Sequence, residues 1–473
     1  MPPSISQPYA PVADLQFELS SFDQHMQPAH ASGSAADEDD ETKFVDAGAD
    51  VEDPLVSGIV TENQTKSNIY MAFMNMANSI LGAGIIGQPF AINNCGLVGG
   101  VAAIVLLTLL VDWTIRLIVV NLKLTGKTTY QDSVEFAMGR RGKLLILAAN
   151  GLFAFGGCIG FCIIIGDTIP HVLRAFFPAH TALFHRNAII FFVTLFVSYP
   201  LSLNRDISKL SRASMLALAS MLLIVVIVIV KGPMLDAVYK GSLTASKLFI
   251  TPRIFQGISV ISFALVCHHN TSFIYFSLKN PSLKRFNKLT HLSCLVSMVV
   301  CFVMGYSGFL VFKDKTKGNI LNNFPSDDNV INVARFCFGF NMLTTFPLEI
   351  FVLRDVVRDL VHFHSGDATA PAELSTKKHV AVTSALVFLT MAVSLTTCNL
   401  GALFELIGAT TASMMAYILP PLTNLLLTGR AKTLRQKLPY YGCIVFGFAV
   451  MVISSTQTIL AAINGGEQKH CET

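Results

Sequence analysis

Four groups of residues in this chain have types and spacings that could do chemistry, and all four lie inside apolar stretches. Asn75, Asn78, Gly82 and Gly84 open the run from Phe73 to Phe90, in which Gly87 and Pro89 follow. A bilayer core offers no water to a free N–H or C=O, so a helix interrupted there survives only beside a protein-lined cavity. His268, His269, Asn270, Thr271 and Ser272 form a second polar island, costly at membrane depth unless it meets partners or a cavity. Thr344 and Thr345 precede Pro347, which frees a carbonyl one turn earlier; the paired hydroxyls could offer oxygens to a cation, or bond back to their own helix at a kink. Glu349 and Glu405 are acids in apolar surroundings, and either could carry a proton; Glu349 could also pair with Arg354. Together these residues suit the capture and release of small ions and polar solutes. No nucleophile–base arrangement points to an enzyme. Adjacent His268 and His269 point about 100° apart on a helix, and no third ligand follows at a zinc-binding spacing.

The elements that must carry these groups are membrane spans. Of 473 residues, 52% are hydrophobic and only 14% charged, against nearer a quarter charged in soluble proteins. The net charge of +4 is small and its basic residues are scattered, which leaves no nucleic-acid surface. Ten cysteines include no CxxC pair, and most sit in apolar runs as small hydrophobes; Cys95 and Cys398 share a loop side, so a bridge between them is conceivable. Residues 1–67 are polar and acidic, with the run Asp37-Glu38-Asp39-Asp40-Glu41, and read as a disordered cytosolic tail that could hold regulatory partners. Residues 465–473 form a short C-terminal tail.

Apolar runs of spanning length predict an all-α polytopic protein with about eleven transmembrane helices. They lie near Ile69–Asn93, Gly96–Val120, Leu144–Thr168, Ala188–Leu201, Ser214–Val230, Ile254–Phe276, Leu289–Phe312, Val330–Leu353, Val380–Thr397, Leu400–Leu427 and Tyr440–Ile463. About twenty Lys and Arg fall in the connections on the N-terminal side and about eleven on the other, which predicts a cytosolic N-terminus. Arg116 is expected to snorkel from the second span to the interface. The two polar interruptions match in position: Ile69 to Gly82 and Ile254 to Cys267 are the same distance, about 13 residues. Spans one to five and six to ten are also similar in length. Paired interruptions at corresponding positions point to an inverted-repeat secondary transporter, with repeats at about 69–231 and 253–427 and an extra helix at about 440–463. Half-helix N-termini would face an anion such as a carboxylate, and freed carbonyls a cation. Taken singly, Gly82-x-Gly84 could be close helix packing, and the histidines could be satisfied by neighbouring helices.

At these residues the chain resembles the amino acid/auxin permease superfamily, with the broken-helix fold of sodium–leucine symporters. The likeness is to fungal vacuolar amino acid transporters and animal sodium-coupled neutral amino acid transporters. It rests on Asn75-Met76-Ala77-Asn78-Ser79-Ile80-Leu81-Gly82-Ala83-Gly84-Ile85, on Phe263-Ala264-Leu265-Val266-Cys267-His268, and on Leu278-Lys279-Asn280-Pro281-Ser282. The resemblance implies a substrate amino acid held at Leu81, Gly82, Ala83, Gly84, Cys267 and His268. It implies a coupling ion at Asn78 and Thr345, with Thr344 adjacent, and no cofactor beyond that H+ or Na+. It further implies a transporter of neutral amino acids working by alternating access, in a vacuolar or lysosome-like membrane first and a plasma membrane second. A sensor using the same site for signalling is the alternative. Gly82→Val is expected to abolish transport by crowding the unwound backbone.

Overall fold

The computed structural model describes residues 67–177, 184–205, 214–365 and 374–464. The tail read at residues 1–67 and the short tail at 465–473 therefore lie, apart from Ser67, outside the described residues. Among the described residues the chain is helical and has no strand; Ser67 and Leu278 form an isolated bridge. The helices are α1 (Ile69–Leu81), α2 (Gln88–Cys95), α3 (Leu97–Thr125), α4 (Tyr130–Phe176), α5 (Arg186–Ser202), α6 (Ser214–Met234), α7 (Ile254–Leu265) and α8 (Thr271–Ser277). They continue as α9 (Leu283–Phe312), α10 (Asn329–Ser365), α11 (Thr376–Thr396), α12 (Leu400–Thr428) and α13 (Leu434–Ile463).

Nine of these segments, taking α7 and α8 together, are long and apolar enough to cross a membrane by themselves among the described residues. A tenth is the pair formed by Ile69–Leu81 and Ala83–Cys95, bent by 40°. The shorter α5 matches the brief fourth segment that the sequence predicts, and contains a wider π turn at Thr194–Ser198. The chain is a polytopic membrane protein. Each of the eleven expected apolar segments has its helical counterpart, though two run well beyond it. α4 reaches 47 residues because Gly139, at φ 67°, turns the chain between two helical stretches. α10 runs on to Ser365, past the apolar limit at Leu353.

Local chemistry sets many of the ends. Thr129 caps α4 by accepting from the Asp132 N–H at 3.1 Å, Ser282 caps α9 through Arg285, and Asn399 caps α12 through Ala402. Asp328 caps α10, accepting from the N–H groups of Val330 (2.9 Å) and Ile331 (3.2 Å) and holding Lys231 at 2.6 Å. Partial burial opposes ionisation of Asp328, but the Lys231 ammonium and the two N–H groups outweigh it and hold the carboxyl below its ordinary value. A depressed carboxyl stabilises the fold above its unfolded pKa and loses that contribution as pH falls through the folded value. Asp328→Asn keeps a competent cap but removes the charge. In detergent melts it should be less stable than the parent near neutral pH, and the gap should close as pH drops below the ordinary aspartate range; a pH-independent gap would mean the ion pair contributes nothing.

α4 and α10 pack antiparallel over much of their length, with Gly151 against Val356 and Gly339 against Ile169. α7 is sunk among α2, α3, α12 and α13, with Phe263 also against Phe153 of α4, so Gln256 to Leu265 are all buried. That position is why the helix is largely apolar and why its few polar side chains, Gln256, Ser259 and Ser262, are all hydrogen-bonded inside the bundle. α7 is thus the central post of the molecule, and the polar break at its end is enclosed by neighbours rather than by lipid.

Cys95 is buried with a free thiol aimed at the Ile254 carbonyl, so it forms no bridge with Cys398. Arg116 does not reach outward alone: it binds Asp112, one turn earlier, at 2.8 Å. The shared carboxylate also lies 3.0 Å from His291 on α9.

Candidate functional site

Both interruptions exist, and they meet. α1 ends at Leu81, and the chain passes through a 3₁₀ turn at Ala83–Gly87 before α2 begins. α7 ends at Leu265, where Val266 turns to extended backbone, and a 3₁₀ turn at His268–Asn270 leads into α8. Gly82 lies 13 residues past the start of α1, and Val266 lies 12 past the start of α7. Asn270 donates its amide to Ser79 Oγ at 2.9 Å, joining the two breaks across 191 residues of sequence. Below that bond, Ser67 pairs with the end of α8: its N–H donates to Ser277 at 2.7 Å and its carbonyl accepts from Lys279 at 3.0 Å.

The two glycines play different parts. A Cβ on Gly84 would stand 2.5 Å from the Ala264 Cβ and 2.6 Å from its Cα, so only glycine lets the two breaks touch. A Cβ on Gly82 would meet nothing closer than the Asn78 carbonyl at 3.8 Å. The Cβ clash in this segment therefore falls at Gly84, while a Cβ at Gly82 would make only an ordinary contact with the Asn78 carbonyl. The carbonyl that the break frees at Gly84 is taken by the Gln88 amide at 3.1 Å, and Gln88 is fully buried. Gln88 is a residue that sequence reading missed; an amide one turn past a glycine break was its available signal.

His268 is fully buried and pairs through Nε2 with Thr114 Oγ1 of α3 at 2.9 Å, while its Nδ1 lacks a partner. His269 lies face-tilted against Phe153 at 5.2 Å, with its own Nδ1 also unpartnered. Cys267 is buried with a free thiol, and its carbonyl accepts from the Asn270 N–H at 3.0 Å. Exposure divides the region. Ala83 to Gln88 are buried, whereas Asn78, Ser79, Gly82, His269 and Asn270 are half-buried. Thr344, Thr345 and Glu349 of α10 are half-buried as well. The molecule is thus sealed on the α2 side of the break and looser on the α1 side.

Thr344 and Thr345 both donate to the Asn341 carbonyl, at 2.9 and 2.8 Å, so each hydroxyl bonds back into its own helix. No hydrogen bond joins either of them to Asn78. Their lone pairs are still available to a cation, since donation uses only the hydroxyl hydrogen. Arg354 does not pair with Glu349. It donates instead to the Ser202 carbonyl and to Thr383 Oγ1, each at 3.2 Å, and its guanidinium lies over Phe351. Glu349 Oε2 is sealed from solvent and has no hydrogen-bond partner.

Glu405 is arranged in the opposite way. It is 3% exposed and accepts from Asn94 of α2 at 2.9 Å, Gln256 of α7 at 3.0 Å and Thr458 of α13 at 2.9 Å. One carboxylate thereby ties α2 of the first broken span and α7 of the second to α12 and α13. Asn94 and Gln256 were not legible as its partners, because nothing local marks a pairing over 311 or 149 residues.

A family model described as transmembrane amino acid transporter protein matches residues 65–460. Vacuolar amino acid transporter 2 of Saccharomyces cerevisiae is 61% identical over 430 residues, covering 89% of this chain and 90% of that protein. The putative sodium-coupled neutral amino acid transporter 11 of Danio rerio is 33% identical, covering 86% of this chain and 90% of the relative. The human protein of the same description is 31% identical, over 76% and 88% respectively. The relatives are transporters rather than enzymes.

Proposed function

This chain belongs to the transmembrane amino acid transporter family, and we propose that it carries neutral amino acids across a vacuolar membrane by alternating access, coupled to a proton or another cation. The observation that carries this reading is the direct bond between the two breaks, Asn270 to Ser79, beside the close approach of Gly84 to Ala264. Two interrupted helices pressed together leave backbone groups and polar side chains around one point at mid-bundle. The substrate carboxylate would meet the backbone at Leu81, Gly82, Ala83 and Gly84, and its amino group the break at Cys267 and His268. The absence of a close clash at Gly82 and its half-buried neighbours support that placement. A cation would bind at Asn78 with Thr344 and Thr345, whose oxygens keep free lone pairs.

Two repeats, at about 69–231 and 253–427, would rock against each other, with the helix at about 440–463 outside them. The N-terminus would face the cytosol. The vacuolar assignment rests on the name of the yeast relative, and the neutral substrate on those of the animal relatives. Uptake of labelled amino acids into proteoliposomes, with pH and sodium gradients imposed separately, tests the reading. Flux of neutral amino acids under one gradient is expected. Specific binding with no flux under either gradient would overturn it in favour of a sensor.

A further inference from the structure

We propose that Glu349 carries the coupling proton, an inference that rests on the transport reading above and names its ion. Of the acids within the spans, Asp112 is paired with Arg116 and His291, and Asp167 with Arg186. The surroundings of Glu349 and Glu405 differ in kind. Glu405 accepts hydrogen bonds from Asn94, Gln256 and Thr458, on three helices, so both of its oxygens are engaged. Glu349 Oε2 is sealed from solvent with no donor beside it. An ionised carboxylate so placed would leave that oxygen neither hydrated nor hydrogen-bonded, which the neutral acid tolerates better. A half-buried acid with one oxygen so placed is suited to take up a proton in this conformer and to release it when the surroundings change.

Position gives the release a route to the substrate. Counting about 100° per residue, Glu349 lies about 180° around α10 from the exposed Phe340 and about 40° from Thr345. It therefore faces the bundle interior one turn from the threonine proposed to hold a cation. Cys158 of α4 is the titratable group facing it from the helix packed most closely. The charged groups on the other packed elements are engaged elsewhere. Lys231 of α6 binds Asp328, Arg186 of α5 binds Asp167, and His379 of α11 lies against Arg354. No cation among them holds Glu349 ionised. In the step inferred, a carboxylate oxygen of Glu349 takes a proton from water on one side, and the neutral acid crosses with the loaded carrier. The O–H bond then breaks to water on the other side, restoring the carboxylate.

The test uses the full chain in proteoliposomes, with a pH-sensitive dye inside and labelled amino acid outside. In the parent protein, amino acid addition should move protons, and equal substrate inside and outside should exchange. Glu349→Gln should cut proton movement to below about a tenth of the parent while exchange, which needs no proton release, continues. Glu349→Asp, which keeps a titratable carboxyl, should restore part of it. Proton movement that survives in Glu349→Gln would overturn the inference. So would loss of exchange together with proton movement in a folded Glu349→Gln protein, or proton movement abolished by Glu405→Gln instead. Absence of both exchange and uptake in the parent protein would reject the transport reading itself, a distinguishable result.

Discussion

Gly84→Val should lower amino acid flux by about tenfold or more while the protein still reaches the membrane. The cause is a clash with backbone. Even a methyl group at Gly84 would stand 2.6 Å from the Ala264 Cα, and a valine adds two more carbons to the same place. A flexible side chain could swing aside, but a backbone atom cannot move without the helix that carries it. Overpacking of this kind costs about 1–3 kcal/mol, and here the strain falls on the junction of the two breaks. The Ser79–Asn270 bond, 2.9 Å long, has no slack to absorb a separation of the helices. Ala264→Gly should rescue Gly84→Ala in part, because it removes the opposing methyl group but leaves the backbone of residue 264 in the way. Gly82→Ala supplies the contrast: its Cβ meets only a carbonyl at 3.8 Å, so it should lose less thermal stability in detergent than Gly84→Ala. Its apparent substrate affinity should nevertheless fall, because the methyl enters the space where substrate is proposed to lie. Normal flux in Gly84→Val would separate the glycine junction from transport.

That contrast also shows what could be read from residue order. Gly82 and Gly84 are the same residue type, two positions apart, in one interrupted segment. Their apolar setting and the thirteen-residue offset place the break correctly, because lipid enforces helical continuity and any departure from it stands out. Which glycine sits at the junction depends on Ala264, some 180 residues away, and no local pattern encodes that neighbour. The same distinction runs through the acids. Glu349 and Glu405 look alike as lone carboxyls in apolar runs, yet one is held by Asn94, Gln256 and Thr458 while the other lacks a donor at Oε2. Thr344 and Thr345 show the converse case. Their bonds to the Asn341 carbonyl follow from i,i+3 and i,i+4 spacing, so that reading was available locally.

Breaking the Asp167–Arg186 pair should have the largest effect on stability, about 3–5 kcal/mol for Arg186→Met. Both side chains are almost wholly buried, at 6% and 7% exposure, with 3.3 Å between the Nε of one and the Oδ1 of the other. Arg186 also donates to the Thr397 carbonyl at 2.8 Å and to that of Ser394, fastening α5 to the end of α11. Removing it strands a carboxylate in a region of low dielectric, where only weaker amide donors such as Asn322 remain. The double variant Arg186→Met with Asp167→Asn should recover much of the loss, since no charge is then left buried; thermal unfolding in detergent measures both. A small effect of the single change would show that water reaches the carboxylate. Transport should respond too, for a structural reason. Asn322 donates to Asp167 at 2.9 Å, and its turn, Ile320–Asn323, packs against the 3₁₀ segment Ala83–Gly87. The ion pair therefore anchors, through one amide, the turn that rests on the first break. Single variants should slow flux beyond what reduced protein amount explains, and Asn322→Ala, which leaves the ion pair intact, should reproduce the slowing with little loss of stability.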